Sequence, residues 1–165
     1  KREFRDIRWS KSDSRLSNAR FSKLTDEWNR SFSFRSHYER RQALVEIDVL
    51  VAMALGMTLV QLKEIYRLQF PVLKSNEADT WYDVNGRIVF SSKGYGNLIY
   101  KRPEWEKEIM HTPAGKITTR LIADDTMRGG PVERTIEYVA PFDRCDREKD
   151  YETAWKFFEK KYGGA

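Results

Sequence analysis

An apolar segment at residues 36–55 constrains the fold of this chain more than any other feature of its sequence. Its periodicity is that of a helix, and Gly56 follows at the position where a left-handed residue commonly ends a helix. Over residues 43–55 the segment is apolar on nearly every side. A helix with so little polar surface is surrounded by other elements, so we expect it at the centre of the fold.

A second helix is predicted directly after the first. Thr58 and Gln61 have the spacing of a capping box, which predicts a helix over residues 58–69 that Pro71 stops. Because the linker between the two helices has only two residues, the helices are expected to fold back on one another.

A β-hairpin is the clearest local signal in the sequence. Asn85-Gly86 stands between two β-prone runs within residues 81–90, and this pattern predicts a two-residue turn with positive φ at both positions. Two further strands are predicted over residues 116–122 and 132–140.

The remaining elements are helical. A short helix is predicted at residues 25–29, and Pro103 suits the first turn of another at residues 103–110. The final helix, residues 146–162, carries an apolar stripe that we interpret as core: Tyr151, Ala154, Trp155, Phe158 and Tyr162.

These elements predict an α+β fold. An antiparallel, hairpin-built sheet packs on the central buried helix, and the amphipathic carboxy-terminal helix covers it. Residues 1–35 form a basic, mostly irregular amino-terminal segment, and residues 36–165 form a single domain.

The net charge of +5 is concentrated at the amino terminus. Residues 1–41 contain 12 basic and 6 acidic side chains, whereas the rest of the chain contains 18 and 19. This asymmetry is typical of a segment that runs near phosphate. The alternative is a basic arm that packs against the acidic groups of its own protein. Aromatic residues interleave with the charges, and we interpret them as anchors to a core rather than as base-stacking platforms: Phe4, Trp9, Phe21, Trp28, Phe32 and Phe34.

Two acidic residues, Glu46 and Asp48, interrupt the central helix. They lie about 200° apart around its axis, so they cannot share one metal or act as an acid/base pair. Burial of a carboxylate is costly unless it is paired, so each is expected to meet an arginine from another element or the rest of a larger protein.

A metal site at residues 124–133 would use the carboxylates of Asp124, Asp125 and Glu133. One cysteine and two histidines argue against a Cys/His zinc site, and we predict neither a metal site nor a catalytic residue. The longest apolar run has seven residues, and no signal peptide is visible, so we expect a cytoplasmic protein without a membrane partner.

Several stretches resemble the carboxy-terminal region of large bacterial adenine-specific DNA modification methyltransferases of restriction–modification and phage-exclusion systems. They are RRQALVEIDVLVAMALGMTL, LKEIYRLQFPVL, TWYDVNGRIVF, GGPVERTIEYVAPFDRCDREKDY and the aromatic final helix. The resemblance covers residues 40–162.

The resemblance implies a parent enzyme that transfers a methyl group from S-adenosylmethionine to the N6 atom of a flipped adenine. No two of the five prolines are adjacent, so the family's catalytic Asn/Asp-Pro-Pro-Tyr/Phe motif is missing. The glycine-rich cofactor motif is missing too. We therefore expect no cofactor in this chain and a non-catalytic module that supports DNA engagement or target recognition beside the parent's catalytic domain.

The residues predicted to contact DNA phosphates are basic: Arg2, Arg5, Arg8, Lys11, Arg15, Arg20, Arg87 and Lys93. Two other functions remain open. One is a protein–protein docking module of a phage-defence complex, which predicts an exposed apolar patch around residues 59–70 or the amino-terminal aromatic residues. The other is a small metal-dependent nuclease that uses the acidic group at residues 124–133.

Overall fold

The computed structural model describes residues 7–125 and 128–163, which form two compact units. The helical unit comprises Lys1–Pro71 and Asp146–Ala165, and the β unit comprises Val72–Cys145. Helices and antiparallel strands are both present, which confirms the α+β class. Residues 36–165 contribute to both units, and the expected domain boundary at residue 36 stays a prediction.

Five helices and five strands make up the regular structure of the described residues. The helices are α1 (His37–Ala54), α2 (Leu59–Gln69), α3 (Pro71–Ala78), α4 (Arg102–Lys107) and α5 (Arg147–Tyr162). The strands are β1 (Thr80–Tyr82), β2 (Ile88–Ser91), β3 (Ile117–Asp124), β4 (Val132–Val139) and β5 (Asp143–Arg144). Short 3-10 turns span Asn18–Lys23, Arg30–Phe32 and Ile109–His111.

Local capping fixes the two helices that the sequence predicts most directly. At α1, the Glu39 amide donates to Ser36 Oγ at 3.1 Å and the Glu39 carboxylate accepts from the Ser36 amide at 3.2 Å. At α2, the expected capping box is confirmed, since the Thr58 amide donates to Gln61 Oε1 at 2.8 Å. Gly56 lies between these helices with φ +70°, as expected.

The core of the helical unit is made by α1, α2 and α5. Its buried members are Val45, Val49, Ala52, Leu62, Tyr66, Tyr151, Ala154 and Phe158. The aromatic stripe of α5 therefore does serve the core, although Tyr162 is exposed. In this cluster α1 packs with α2, as the short linker predicts, and with α5. One side of α1 also remains in water, because Leu44, Ile47 and Val51 are each more than half exposed (55%, 52% and 51%).

Two short helical segments differ from the prediction. Pro71 follows the end of α2 but also begins α3, a position where proline is well tolerated because the first helical amide needs no partner within the helix. The short helix expected at residues 25–29 is not formed, and 3-10 turns lie on either side of that stretch.

The β unit contains two antiparallel sheets. One has the strand order β2-β1-β5, and the other is the β3-β4 ribbon, paired from Ile117↔Val139 to Asp124↔Val132. Aromatic side chains fill the core of this unit: the rings of Phe90 and Trp105 stack with centroids 5.3 Å apart.

The hairpin between β1 and β2 forms, but its turn is not the predicted one. The Asp83 amide donates to the Arg87 carbonyl, and the Gly86 amide donates to the Asp83 carbonyl, both at 3.0 Å. Gly86 has φ +74°, whereas no described residue other than glycine has positive φ, so Asn85 does not adopt the left-handed conformation. The connection is thus a three-residue loop that ends in a left-handed glycine. The buried Asp83 carboxylate favours it by accepting the amides of Asn85 at 2.9 Å and Arg87 at 2.8 Å.

This geometry separates the roles of the two turn residues. Gly86→Ala should lower the free energy of unfolding by about 1–2 kcal/mol, since a side chain is strained at positive φ. Asn85→Ala should change it by less than about 0.5 kcal/mol. Urea unfolding of both variants measures the difference, and comparable losses would indicate the two-residue turn instead.

Candidate functional site

A buried carboxylate ties the amino-terminal segment to the helical unit. Asp150 of α5 accepts Lys11 Nζ at 2.9 Å and Arg41 Nη1 at 2.6 Å, and only 4% of the Asp150 surface is exposed. Burial disfavours the Lys11 ammonium, but hydrogen bonds to Tyr38 and Asp150 and the charge of Asp150 outweigh it and raise the pKa of Lys11. Lys11, a predicted DNA contact, is therefore paired with a carboxylate of its own protein.

Arg15 and Arg20, two further predicted DNA contacts, are also paired internally. Arg15 Nη2 lies 2.8 Å from Asp13 Oδ2, and its guanidinium lies 3.8 Å from the centre of the Tyr38 ring. Arg20 Nη2 lies 2.9 Å from Glu39 Oε1. For these residues the structure favours the alternative weighed above, a basic arm held by acidic groups of the same protein.

The Asp13 carboxylate binds both Arg15 and Tyr38. It accepts hydrogen bonds from the Arg15 guanidinium, the Arg15 amide and the Tyr38 hydroxyl, the last at 2.7 Å. Burial acts to raise the pKa of Asp13, but these hydrogen bonds and the charge of Arg15 lower it well below its usual range.

Aromatic anchoring is confirmed for the first part of the segment. Trp9 is buried, with ring centroids 5.3 Å from Phe21 and 5.2 Å from Phe34. Trp28 is different, since 78% of its surface is exposed. Phe4 lies outside the described residues.

Glu46 and Asp48 of α1 have different partners. Asp48 Oδ2 accepts Arg147 Nη1 and the Tyr151 hydroxyl, both at 2.7 Å, which confirms the expected arginine. Burial raises the pKa of Tyr151 to about 12. The expectation is wrong for Glu46, whose Oε1 accepts the Ser10 amide at 2.8 Å and hydroxyl at 2.6 Å instead. Glu46 thereby binds the backbone of the amino-terminal segment, which a count of charges does not reveal.

Three arginines around the loop that precedes α1 lack a carboxylate partner among the described residues, and two of them donate to backbone carbonyls. Arg35 Nη2 donates to the Arg30 carbonyl at 3.3 Å, and Arg40 Nε donates to the Phe34 carbonyl at 3.2 Å. Arg30, Arg35 and Arg40, here called the arginine cluster, are exposed and form no ion pair with any described residue. Partial burial and the charge of Arg40 lower the pKa of neighbouring His37. The cluster is therefore a patch of uncompensated positive charge.

These three arginines are not among the DNA contacts that the sequence predicts. Their charge is evident from the sequence, but whether an arginine has a carboxylate partner depends on tertiary contacts that the sequence does not show. The excess charge does follow the units: the helical unit has 19 basic and 14 acidic residues, whereas the β unit has 11 of each.

The other predicted DNA contacts are dispersed. Arg8 is exposed in the helical unit, while Arg87 and Lys93 are exposed in the β unit, where Arg87 Nη1 donates to the Glu137 carbonyl at 2.7 Å. Arg2 and Arg5 lie outside the described residues.

The acidic group at residues 124–133 does not assemble into a shared site. Asp124 Oδ2 lies 2.6 Å from Arg134 Nη1. In the β3-β4 ribbon, Asp124 pairs with Val132 and Glu133 pairs with Ala123, so Asp124 and Glu133 project from opposite faces. Among residues 7–125 and 128–163, no three His, Cys, Asp or Glu side chains are placed to hold one metal ion.

No protein-family model, curated protein or solved structure matches this chain. Within the described part of the chain, every helix is too short or too polar to span a bilayer.

Removal of the buried carboxylate tests how strongly it holds the segment. Asp150→Asn removes the carboxylate that Lys11 and Arg41 share, so we expect the free energy of unfolding to fall by about 3–5 kcal/mol. The control is Glu159→Gln, an exposed α5 residue without an ion pair in the described chain, which should change it by less than about 0.5 kcal/mol. Urea unfolding provides the measurement, and a loss below about 1 kcal/mol for Asp150→Asn would contradict the assignment.

The lowered pKa of Asp13 predicts a pH dependence of stability. Its contribution is fully present above the ordinary carboxyl pKa, about 4, and is lost as the pH falls through the lower pKa of the folded state. We expect Asp13→Asn to be less stable than the wild type by about 1–3 kcal/mol at neutral pH, with a difference that shrinks below about pH 4. Unfolding at several pH values measures this, with exposed Asp26→Asn as the control. A difference that grows on acidification would refute the assignment.

Proposed function

We propose that this chain is a non-catalytic carboxy-terminal module of a cytoplasmic adenine-N6 DNA modification methyltransferase. It supports DNA engagement or target recognition by the parent's catalytic domain, where S-adenosylmethionine would bind. The resemblance over residues 40–162 supports the class of parent enzyme. The uncompensated charge of the arginine cluster supports contact with DNA, and it is the observation that carries the proposal.

The arginine cluster has the chemistry of a phosphate contact. A guanidinium can donate two parallel hydrogen bonds to a phosphate, and a backbone carbonyl that orients it leaves its positive charge intact. Displacement of condensed counterions by such groups makes binding to DNA favourable and dependent on salt. We assign phosphate contact to Arg30, Arg35 and Arg40 ahead of Lys11, Arg15 and Arg20, which already have carboxylate partners.

A second candidate function, protein docking within a phage-defence complex, is favoured by the surface of α2. Val60 and Leu68 are 64% and 75% exposed, and Phe70 directly after the helix is 50% exposed. These exposed side chains support the docking hypothesis, which predicts an apolar patch at residues 59–70 or at the amino-terminal aromatic residues.

Titration of a fluorescent DNA duplex across a range of salt concentrations tests the leading proposal. We expect the combined variant Arg30→Ala, Arg35→Ala and Arg40→Ala to bind at least about tenfold more weakly at low salt, with a salt slope reduced by about 2–3. The reason is the loss of up to three phosphate contacts.

A matched variant controls for net charge. This variant also removes three exposed cations, but from the β unit, by combining Lys74→Ala, Lys107→Ala and Lys116→Ala. It should leave the salt slope nearly unchanged. Absence of binding by the wild type at low salt, or binding without a salt slope, would contradict DNA engagement. An equal loss in both variants would reject the arginine cluster as its site.

A further inference from the structure

An open apolar groove lies between the carboxy-terminal halves of α1 and α5. Its volume is about 510 Å³. Leu50, Met53 and Ala54 of α1 form one wall, and Trp155, Phe158 and Tyr162 of α5 form the other. Much of this surface is in water, since Tyr162 is 54% exposed and Leu50 is 37% exposed.

A second, smaller groove lies along α2. It has a volume of about 310 Å³ and includes Ile65 and Leu68, and both grooves share Met57. Methionine and aromatic side chains form adaptable apolar surfaces that commonly accept the apolar face of a helix. The two grooves, which meet at Met57 and are here called the strip, therefore provide an apolar surface of the kind that binds an amphipathic helix.

The charges on the strip are of one sign. Glu159 lines the first groove and Glu64 lines the second, and neither groove is lined by lysine or arginine. Neither carboxylate forms an ion pair with a described residue. An occupant that is apolar at its centre and positively charged along its flanks would complement this surface.

We infer that the strip binds an amphipathic helix of a partner protein, with lysine or arginine beside its apolar face. This inference rests on the second candidate function, protein docking, and specifies the chemistry of the partner. A second copy of this chain is a poorer occupant, because a symmetric contact would bring Glu64 and Glu159 of one copy against the same acidic rim of the other.

The test uses two synthetic peptides. One is a fluorescein-labelled helix of about 18 residues with leucine at heptad spacing and lysine on both flanks, and the other has glutamate in place of lysine. Fluorescence anisotropy with the full chain should give a dissociation constant at least about tenfold lower for the lysine peptide.

Variants locate the binding site. Ala54→Arg puts a large cation on an exposed position of the groove and should weaken binding of the lysine peptide at least about tenfold. Glu64→Gln with Glu159→Gln should weaken it about three- to tenfold, and more so at low salt. The control, Leu44→Ser with Val51→Ser, removes exposed apolar side chains of α1 that do not line the groove and should change binding less than about twofold.

Three results would overturn the inference. Equal binding of the two peptides, or no binding of either, would contradict a charge-complementary docking surface. Loss of binding in the Leu44→Ser, Val51→Ser control, with Ala54→Arg unaffected, would leave protein docking intact but move it to another face of α1. Sedimentation that shows self-association of the wild type, abolished by Ala54→Arg, would make a second copy the occupant.

Discussion

The contact on which the helical unit most depends is the buried Asp150 carboxylate between Lys11 and Arg41. Two cations from distant parts of the chain converge on one anion that is almost inaccessible to water. Inside a protein, such a group is stable only with its partners in place. It consequently holds residues next to Trp9 against α1 and α5, and Glu46 reinforces the contact by binding Ser10. The order of the amino-terminal segment follows from these long-range polar contacts, because the segment contains little regular structure of its own.

Long-range contacts of this kind mark the limit of what the sequence predicts about the fold. Caps and apolar periodicity act over a few residues, so α1, α2, α5 and the strands β1 to β4 could be located from local pattern alone, whereas β5 was not predicted. The turn at Asn85-Gly86 could not be assigned correctly, because the buried Asp83 carboxylate selects a longer loop. The packing of α1 on α2 could be predicted from their short linker, but the exposed side of α1 could not. An all-round apolar helix indicates burial on every side, whereas Leu44, Ile47 and Val51 are exposed.

For the candidate site, the distribution of charge in the sequence indicates which part of the chain is basic but not which cations are unpaired at its surface. Lys11 and Asp150 are 139 residues apart in the sequence, and no local pattern joins them. Arg30, Arg35 and Arg40 look no different from Arg15 and Arg20 in the sequence, yet they form no ion pair with a described residue, and Arg35 and Arg40 donate to backbone carbonyls. The α2 patch was easier to anticipate, because apolar residues on both sides of a short helix cannot all be buried by one neighbour.

Glu39 has a consequence that extends beyond its role as a helix cap. Its carboxylate accepts the amides of Arg35 and Ser36 and also pairs with Arg20, so it fixes the first turn of α1 and the loop that carries two members of the arginine cluster. Helix initiation and the spacing of surface cations are thereby determined by one side chain. Substitutions that alter where the helix starts would also redistribute the positive potential, so these two properties cannot evolve independently in this protein.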